Sequence, residues 1–269
     1  MIGVFDSGYG GLTILKEFVK LLPQYDYCYL GDNARTPYGT RSFDTVYQFT
    51  RECVKYLFDE GCSLVILACN TASAKALRTI QQRDLPLLAP QRRVLGVIRP
   101  TAEVIGQYTR SGHVGTLATV GTVQSLSYKM EITKLNPQIR VFQEACPMWV
   151  PLVENNEHQN DGSDYFVRRH IENLMQQSPD IDVMILACTH YPLLMDKIKK
   201  YAPDGVHILS QGKIVAQSLV DYLQRHPKID NRLTKNGLRI FQTTDSTELF
   251  DKQASIFFGE KIKSEKAKK

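Results

Sequence analysis

The 269-residue chain has a single tryptophan, and no cysteine pair in it has C-x-x-C spacing. No apolar run approaches the ~18 residues of a membrane-spanning helix, so a transmembrane segment and a membrane partner are excluded. The histidines do not cluster near cysteines in a zinc pattern, so no metal is expected. The one glycine-rich turn near the start, Asp6-Ser7-Gly8-Tyr9-Gly10-Gly11, lacks the lysine of a P-loop. Thr13 stands where a dinucleotide fingerprint needs its third glycine. Met1 to Phe5 carries neither a basic n-region nor a cleavage site, so a cytoplasmic protein is expected. Without a secretory signal, six cysteines do not imply disulfides, and Cys28, Cys53 and Cys62 are expected to be inert core residues. Excess positive charge is also scarce where it would matter. Of the net +5, the last ten residues carry +3, leaving +2 for the body. That lysine-rich tail is expected to be a solvated, frayed terminus, and no nucleic-acid partner is expected.

What the chain does have is a cysteine motif that occurs twice. Ile66-Leu67-Ala68-Cys69-Asn70-Thr71 recurs as Ile185-Leu186-Ala187-Cys188-Thr189-His190. Each copy is a short apolar run with the composition of a buried parallel strand, followed by small polar residues and a helix-like segment. Both cysteines should therefore lie at the carboxyl end of a strand, just before a helix N-terminus, where ligands bind in open α/β sheets. Two thiols in equivalent positions of similar halves suit a reaction that removes a proton from one face of a carbon and returns it to the other.

Strand-like and helix-like segments alternate along the chain, predicting βαβ units and parallel sheets. Strands are expected at 2–5, 27–30, 64–68, 94–98, 113–117, 139–142 and 183–187. Helices are expected at 12–22, 42–60, 100–108, 125–135 and 165–177. Phe43, Val46, Tyr47, Val54, Leu57 and Phe58 form the apolar stripe of the 42–60 helix, and Gly61 stops it. The polar run 155–164 reads as a loop. The repeat divides the chain into two halves of about equal weight, each expected to be an α/β unit. Residues 1–93 with 207–269 form the first and 94–206 the second, so the segment after 206 returns to complete the first domain.

Three consecutive strand ends of the first half carry small polar groups. Asp6 stands in a turn that could hold a carboxylate on backbone N–H groups. Tyr38 and Gly39 lie in the loop after the second strand, and Cys69-Asn70-Thr71 follows the third. Their convergence marks a site more strongly than any one motif does.

In order along the chain, Pro37-Tyr38-Gly39, Ala68-Cys69-Asn70-Thr71-Ala72 and Cys188-Thr189-His190-Tyr191-Pro192 resemble the cofactor-independent aspartate/glutamate racemase family, in particular its glutamate-specific members. Gly121-Thr122-Val123, Cys146-Pro147 and Pro151-Leu152-Val153-Glu154 match as well, so the resemblance covers nearly the whole chain. It implies two pseudo-symmetric parallel-sheet α/β domains with the active site in the cleft between them, racemisation of glutamate with no cofactor, D-glutamate destined for peptidoglycan, and a homodimer. Arg99 and Ser210-Gln211 depart from the usual pattern, in which acidic residues are common there. Both lie outside the motifs and are expected to leave the chemistry intact.

Without an electron sink, the carbanion-like centre must be stabilised by positioning and electrostatics. A free thiol of pKa ~8.5 is only about 3% ionised at pH 7, and half-ionisation takes about 2 kcal/mol of thiolate stabilisation. The helix N-termini after Cys69 and Cys188 are expected to supply part of it. His190 could take the Cys188 proton or stabilise its thiolate as imidazolium, and Asp6 could take the proton of Cys69. The resemblance implies that Cys69 abstracts the proton of D-glutamate and Cys188 that of L-glutamate, with Glu154 as a further acid–base group. Substrate is expected on neutral donors, namely Ser7, Tyr38, Gly39, Asn70, Thr71, Thr119, Thr122 and Thr189, with Asp6 and His190 alongside. Rival readings are an aspartate or other amino-acid racemase, a single-cysteine hydrolase or decarboxylase, and a non-catalytic binding module. A lone nucleophile or a binding module would not need twin thiols.

Overall fold

The computed structural model describes residues 1–268, which form two parallel sheets. The first sheet contains β1 (Ile2–Asp6), β2 (Tyr27–Gly31), β3 (Leu64–Leu67) and β4 (Arg93–Gly96). The second contains β5 (His113–Ala118), β6 (Arg140–Ala145), β7 (Val183–Ala187) and β8 (His207–Ser210). Two late strands, β9 (Arg239–Thr243) and β10 (Glu265–Lys266), extend the first sheet beyond β2. The sheet orders are β10-β9-β2-β1-β3-β4 and β6-β5-β7-β8. Without its two-strand extension, the first repeats the order of the second, and the cysteine strands β3 and β7 occupy the same slot in each.

Burial on both faces explains the composition of the central strands. Every residue of β1, β2, β3 and β7 is buried, as helices packed on both faces of a parallel sheet require. The helix Phe43–Asp59 is capped by Ser42, whose hydroxyl accepts the Thr45 N–H, and ends before Gly61 at φ +87°. Val46, Cys53, Val54, Leu57 and Phe58 line its buried face, but Phe43, expected on that stripe, is half exposed. It sits in the first turn, outside the packed part of the helix, with the Lys75 ammonium 4.8 Å above its ring.

Several expected boundaries move. The strand expected over 94–98 ends at Gly96, and a helix starts at Ile98, placing Pro100 in the first turn, where its missing N–H is tolerated. The helix expected over 125–135 starts at Ser127, and Leu126, at φ 56°, separates it from a short unexpected helix, Val120–Gln124. The last four residues of the expected loop 155–164 form the first turn of the helix Asp161–Gln177.

Strand pairing also cuts across the domain boundaries expected at 93/94 and 206/207. β4 pairs with β3 in the first sheet and β8 pairs with β7 in the second, because each extends the sheet beside its cysteine strand. Through Lys268 the lysine-rich tail is not frayed. Ile262 is buried, the β10 pair lies parallel to β9, and the Ala267 N–H donates to the Thr243 carbonyl at 2.8 Å. Apolar contact and an open sheet edge hold it against its charge. Cys28, Cys53 and Cys62 are buried core residues, and every cysteine is a free thiol. Among the described residues no helix is long and apolar enough to cross a membrane.

Candidate active site

The carboxyl ends of β1, β3 and β7 meet across the interface between the sheets. Cys69 follows β3 and Cys188 follows β7, with 6% and 7% of their surfaces exposed. Cys69 is the N-cap of the helix Asn70–Lys75. Its sulfur accepts the Ala72 N–H at 3.5 Å and lies 3.5 Å from the Ser7 hydroxyl. The second thiol is built differently. Only a 3-10 turn, Tyr191–Leu194, follows Cys188, and the α-helix starts at Met195. Pro192 takes the second position of that turn, where its missing N–H is tolerated. The expected helix N-terminus is therefore missing at Cys188, and a histidine stands beside the thiol instead.

Cys188, His190 and Glu154 form a line. The Cys188 Sγ lies 3.8 Å from His190 Nδ1, and His190 Nε2 lies 3.0 Å from Glu154 Oε1. Glu154 ends the short helix Trp149–Glu154, whose Trp149 packs edge-on against Tyr191 with ring centroids 4.8 Å apart. Burial pulls the His190 pKa down, but Cys188 and Glu154 more than offset it and leave it at about 10. The charged imidazolium thus lies against the Cys188 sulfur.

Cys69 is held as a thiol. Burial, reinforced by Asp6, pushes Cys69 up to about 12 despite the Ser7 hydroxyl and the Ala72 N–H. The short helix was expected to favour the thiolate here, but desolvation outweighs it. Asp6 is also pushed up by burial, against the opposing pull of His190 and of the Gly8 and Gly11 N–H groups. Its oxygens accept the Gly8 N–H at 3.0 Å and face the Thr189 hydroxyl at 3.5 Å. Asp6 thus reaches across to the Cys188 side, where the sequence suggested a partner for Cys69.

The pH dependence of stability follows from His190. Its folded pKa of about 10 lies above the free value of 6.5. Its stabilising contribution is therefore complete below about pH 6.5 and is lost as the pH rises through about 10. Melting temperature is expected to fall across this window more steeply in the parent protein than in His190→Asn. Equal slopes would mean that the imidazole is neutral.

The remaining expected site residues divide into three groups. Thr71, Thr119 and Thr122 come together across the two halves, with Thr71 Oγ1 3.0 Å from Thr119 and 3.4 Å from Thr122. Gly39 also reaches the second half, where its carbonyl accepts the Gly121 N–H at 2.8 Å. Tyr38 does not line the site with its side chain. The ring is buried between Phe5 and Phe49, and its hydroxyl donates to Asp32, so the phenol anchors the loop.

Sequence reasoning missed three contributors. Thr13 donates to the carbonyls of Gly10 and Thr189, at 2.8 and 3.1 Å, and so ties the glycine turn to the opposite half. Gln211 and Tyr128 bond directly to Asn70. The Ser210-Gln211 departure therefore does not lie outside the site, because the turn from β8 into the next helix folds over the end of β3. Arg99, the other departure, is on the surface and pairs with Glu103. A cavity of about 630 Å³ reaches Cys188 and Thr189 from the side of Thr13 and Gln211. Among the described residues no three of His, Cys, Asp and Glu converge to hold a metal ion.

A sequence model of the Asp/Glu/Hydantoin racemase family matches residues 2–219. The chain belongs to that family. The glutamate racemase of Bacillus cereus is 38% identical over 265 residues, spanning 98% of this chain and 95% of its own. A glutamate racemase isoform from Bacillus anthracis superposes with a TM-score of 0.89 at 35% identity, covering 100% of this chain and 97% of that one. The Francisella tularensis glutamate racemase, solved in complex with D-glutamate, gives a TM-score of 0.86 at 31% identity over 98% and 95% of the two chains. The two-sheet architecture of this family member is thus a fold that it shares with glutamate racemases.

Proposed function

We propose that this protein is a glutamate racemase that interconverts L- and D-glutamate with two cysteine bases, and that it supplies D-glutamate to peptidoglycan. The carrying observation is the pair of buried thiols on equivalent strands, Cys188 3.8 Å from the His190 ring and Cys69 3.5 Å from the Ser7 hydroxyl. Cys188, as thiolate, takes the α-proton of L-glutamate and becomes a thiol. The Cys69 thiol then delivers its proton to the opposite face of the planar carbon and is left as thiolate. The reverse reaction begins with the protons exchanged. His190, held by Glu154, stabilises the Cys188 thiolate, and Asp6 supports Cys69 through space. Ser7, Asn70, Thr71, Thr119, Thr122, Thr189 and the backbone at Gly39 hold the substrate carboxylates by neutral donors, so neither enantiomer is trapped by a fixed cationic clamp.

In this reading the two sheets form two lobes, residues 1–96 with 239–268 and residues 97–210, which part to admit substrate to the buried thiols. The enzyme works in the cytoplasm as a homodimer, a state that sedimentation would test. The direct test of function is incubation with L-glutamate in D₂O, without pyridoxal phosphate or metal. Optical rotation is expected to decay while deuterium enters the α-carbon. Racemisation of L-aspartate alone would move the substrate assignment, and inertness toward both would end the racemase reading.

A further inference from the structure

Asn70, directly after Cys69, has its side-chain amide fixed by residues that come from beyond its own sheet. Its Nδ2 donates to Gln211 Oε1 at 2.8 Å, and its Oδ1 accepts the Tyr128 hydroxyl at 2.6 Å. The Gln211 Nε2 closes the ring by donating to the same Tyr128 oxygen at 2.6 Å. It also reaches Thr101 Oγ1 at 2.9 Å and the Val97 carbonyl at 3.2 Å. Asn70, Tyr128 and Gln211 are all buried. Water therefore does not compete for these bonds, and each donor and acceptor role is set by the next.

The chemistry of this ring selects an amide at position 211. A carboxylate has no N–H to give the Val97 carbonyl, and a hydrocarbon could neither accept from Asn70 nor donate to Tyr128. The consequence lands on Asn70. With its oxygen bound to Tyr128 and one N–H bound to Gln211, the only donor left for a ligand is its second N–H. Rotating the amide by half a turn would present an oxygen instead, which repels a substrate carboxylate.

We propose that Gln211, acting with Tyr128, is a positioning residue that fixes the donor polarity of Asn70 beside Cys69 for carboxylate binding. This rests on the glutamate racemase reading. Because Gln211 starts the helix Gln211–Arg225, directly after β8, the same bonds tie the end of β3 to the second sheet.

The test compares Gln211→Met, Tyr128→Phe and Thr101→Val with the parent protein, measuring KM and kcat in both directions together with melting temperature. Racemisation by the parent protein first tests the functional reading on its own. Given that activity, Gln211→Met and Tyr128→Phe are expected to raise KM for both enantiomers by about tenfold, with kcat changed much less, as loss of one aligned carboxylate bond predicts. Thr101→Val leaves the Asn70 bonds intact and is expected to lower melting temperature while KM stays within about twofold. If Gln211→Met does not fold, Tyr128→Phe carries the test. A KM near the parent value in the folded variants would overturn the proposal. So would an equal KM rise in Thr101→Val, which would assign the effect to general loosening.

Discussion

Cys188→Ser is expected to reduce glutamate racemisation by about 10³-fold or more, and Cys69→Ser to do the same, in both directions. Loss in both directions is the discriminating feature. Each thiol serves one face of the α-carbon, and inversion needs both faces. A serine hydroxyl holds its proton far more tightly than a thiol, so it can neither remove the α-proton nor replace the thiolate left after proton delivery. The fold should survive, since the substitution changes one buried atom at sites with 6% and 7% exposure. Coupled assays for each enantiomer and a thermal melt decide the matter. Full turnover in either folded variant would rule out the two-base mechanism, whereas retained turnover in one direction alone would break the assignment of one thiol to each face.

Gly10→Ala is expected to lower activity by at least about 10²-fold and stability by about 1–3 kcal/mol, although Gly10 offers no reactive group. A Cβ at position 10 would overlap the Thr189 hydroxyl and approach His190 Nδ1 to 2.6 Å. Neither neighbour is the far end of a flexible chain. Thr189 is held through its carbonyl by Thr13, and His190 by Cys188 and Glu154. The added methyl group would therefore push the Cys188–His190–Glu154 line out of register, and small displacements of reacting groups are costly. The glycine turn was read from sequence as an anion cradle. Its tighter requirement is the close approach of the opposite half. An alanine variant with parent-like activity and melting temperature would show that the two halves are not packed this closely at the turn.

The twin strands Leu64–Leu67 and Val183–Ala187, the parallel α/β class and the placing of both cysteines at strand ends were legible in the sequence. Each depends on local composition and on a repeat, and both are one-dimensional properties. The inert core cysteines were legible for the same reason. The difference between the two thiols was not. Cys69 is kept protonated by desolvation and by Asp6, and Cys188 faces an imidazolium held by Glu154, 34 positions away. Burial and charge proximity across chain-distant residues set those states, and neither is encoded near the motifs. Likewise, the tail's mix of lysines and glutamates suggested solvation, yet an open edge beside β9 gave it a strand to join. Tyr38 stood in the right motif but turned its phenol into the core, because Asp32 offered a buried acceptor. Gln211 lay in no recognised motif and became a partner of Asn70 only when β8 joined the second sheet. By itself, the sequence determined that two thiols would stand at equivalent strand ends. Tertiary structure alone decided which of them stands beside an imidazole and which side chains aim the donors around them, because solvent exclusion and contacts between distant segments exist only in the folded chain.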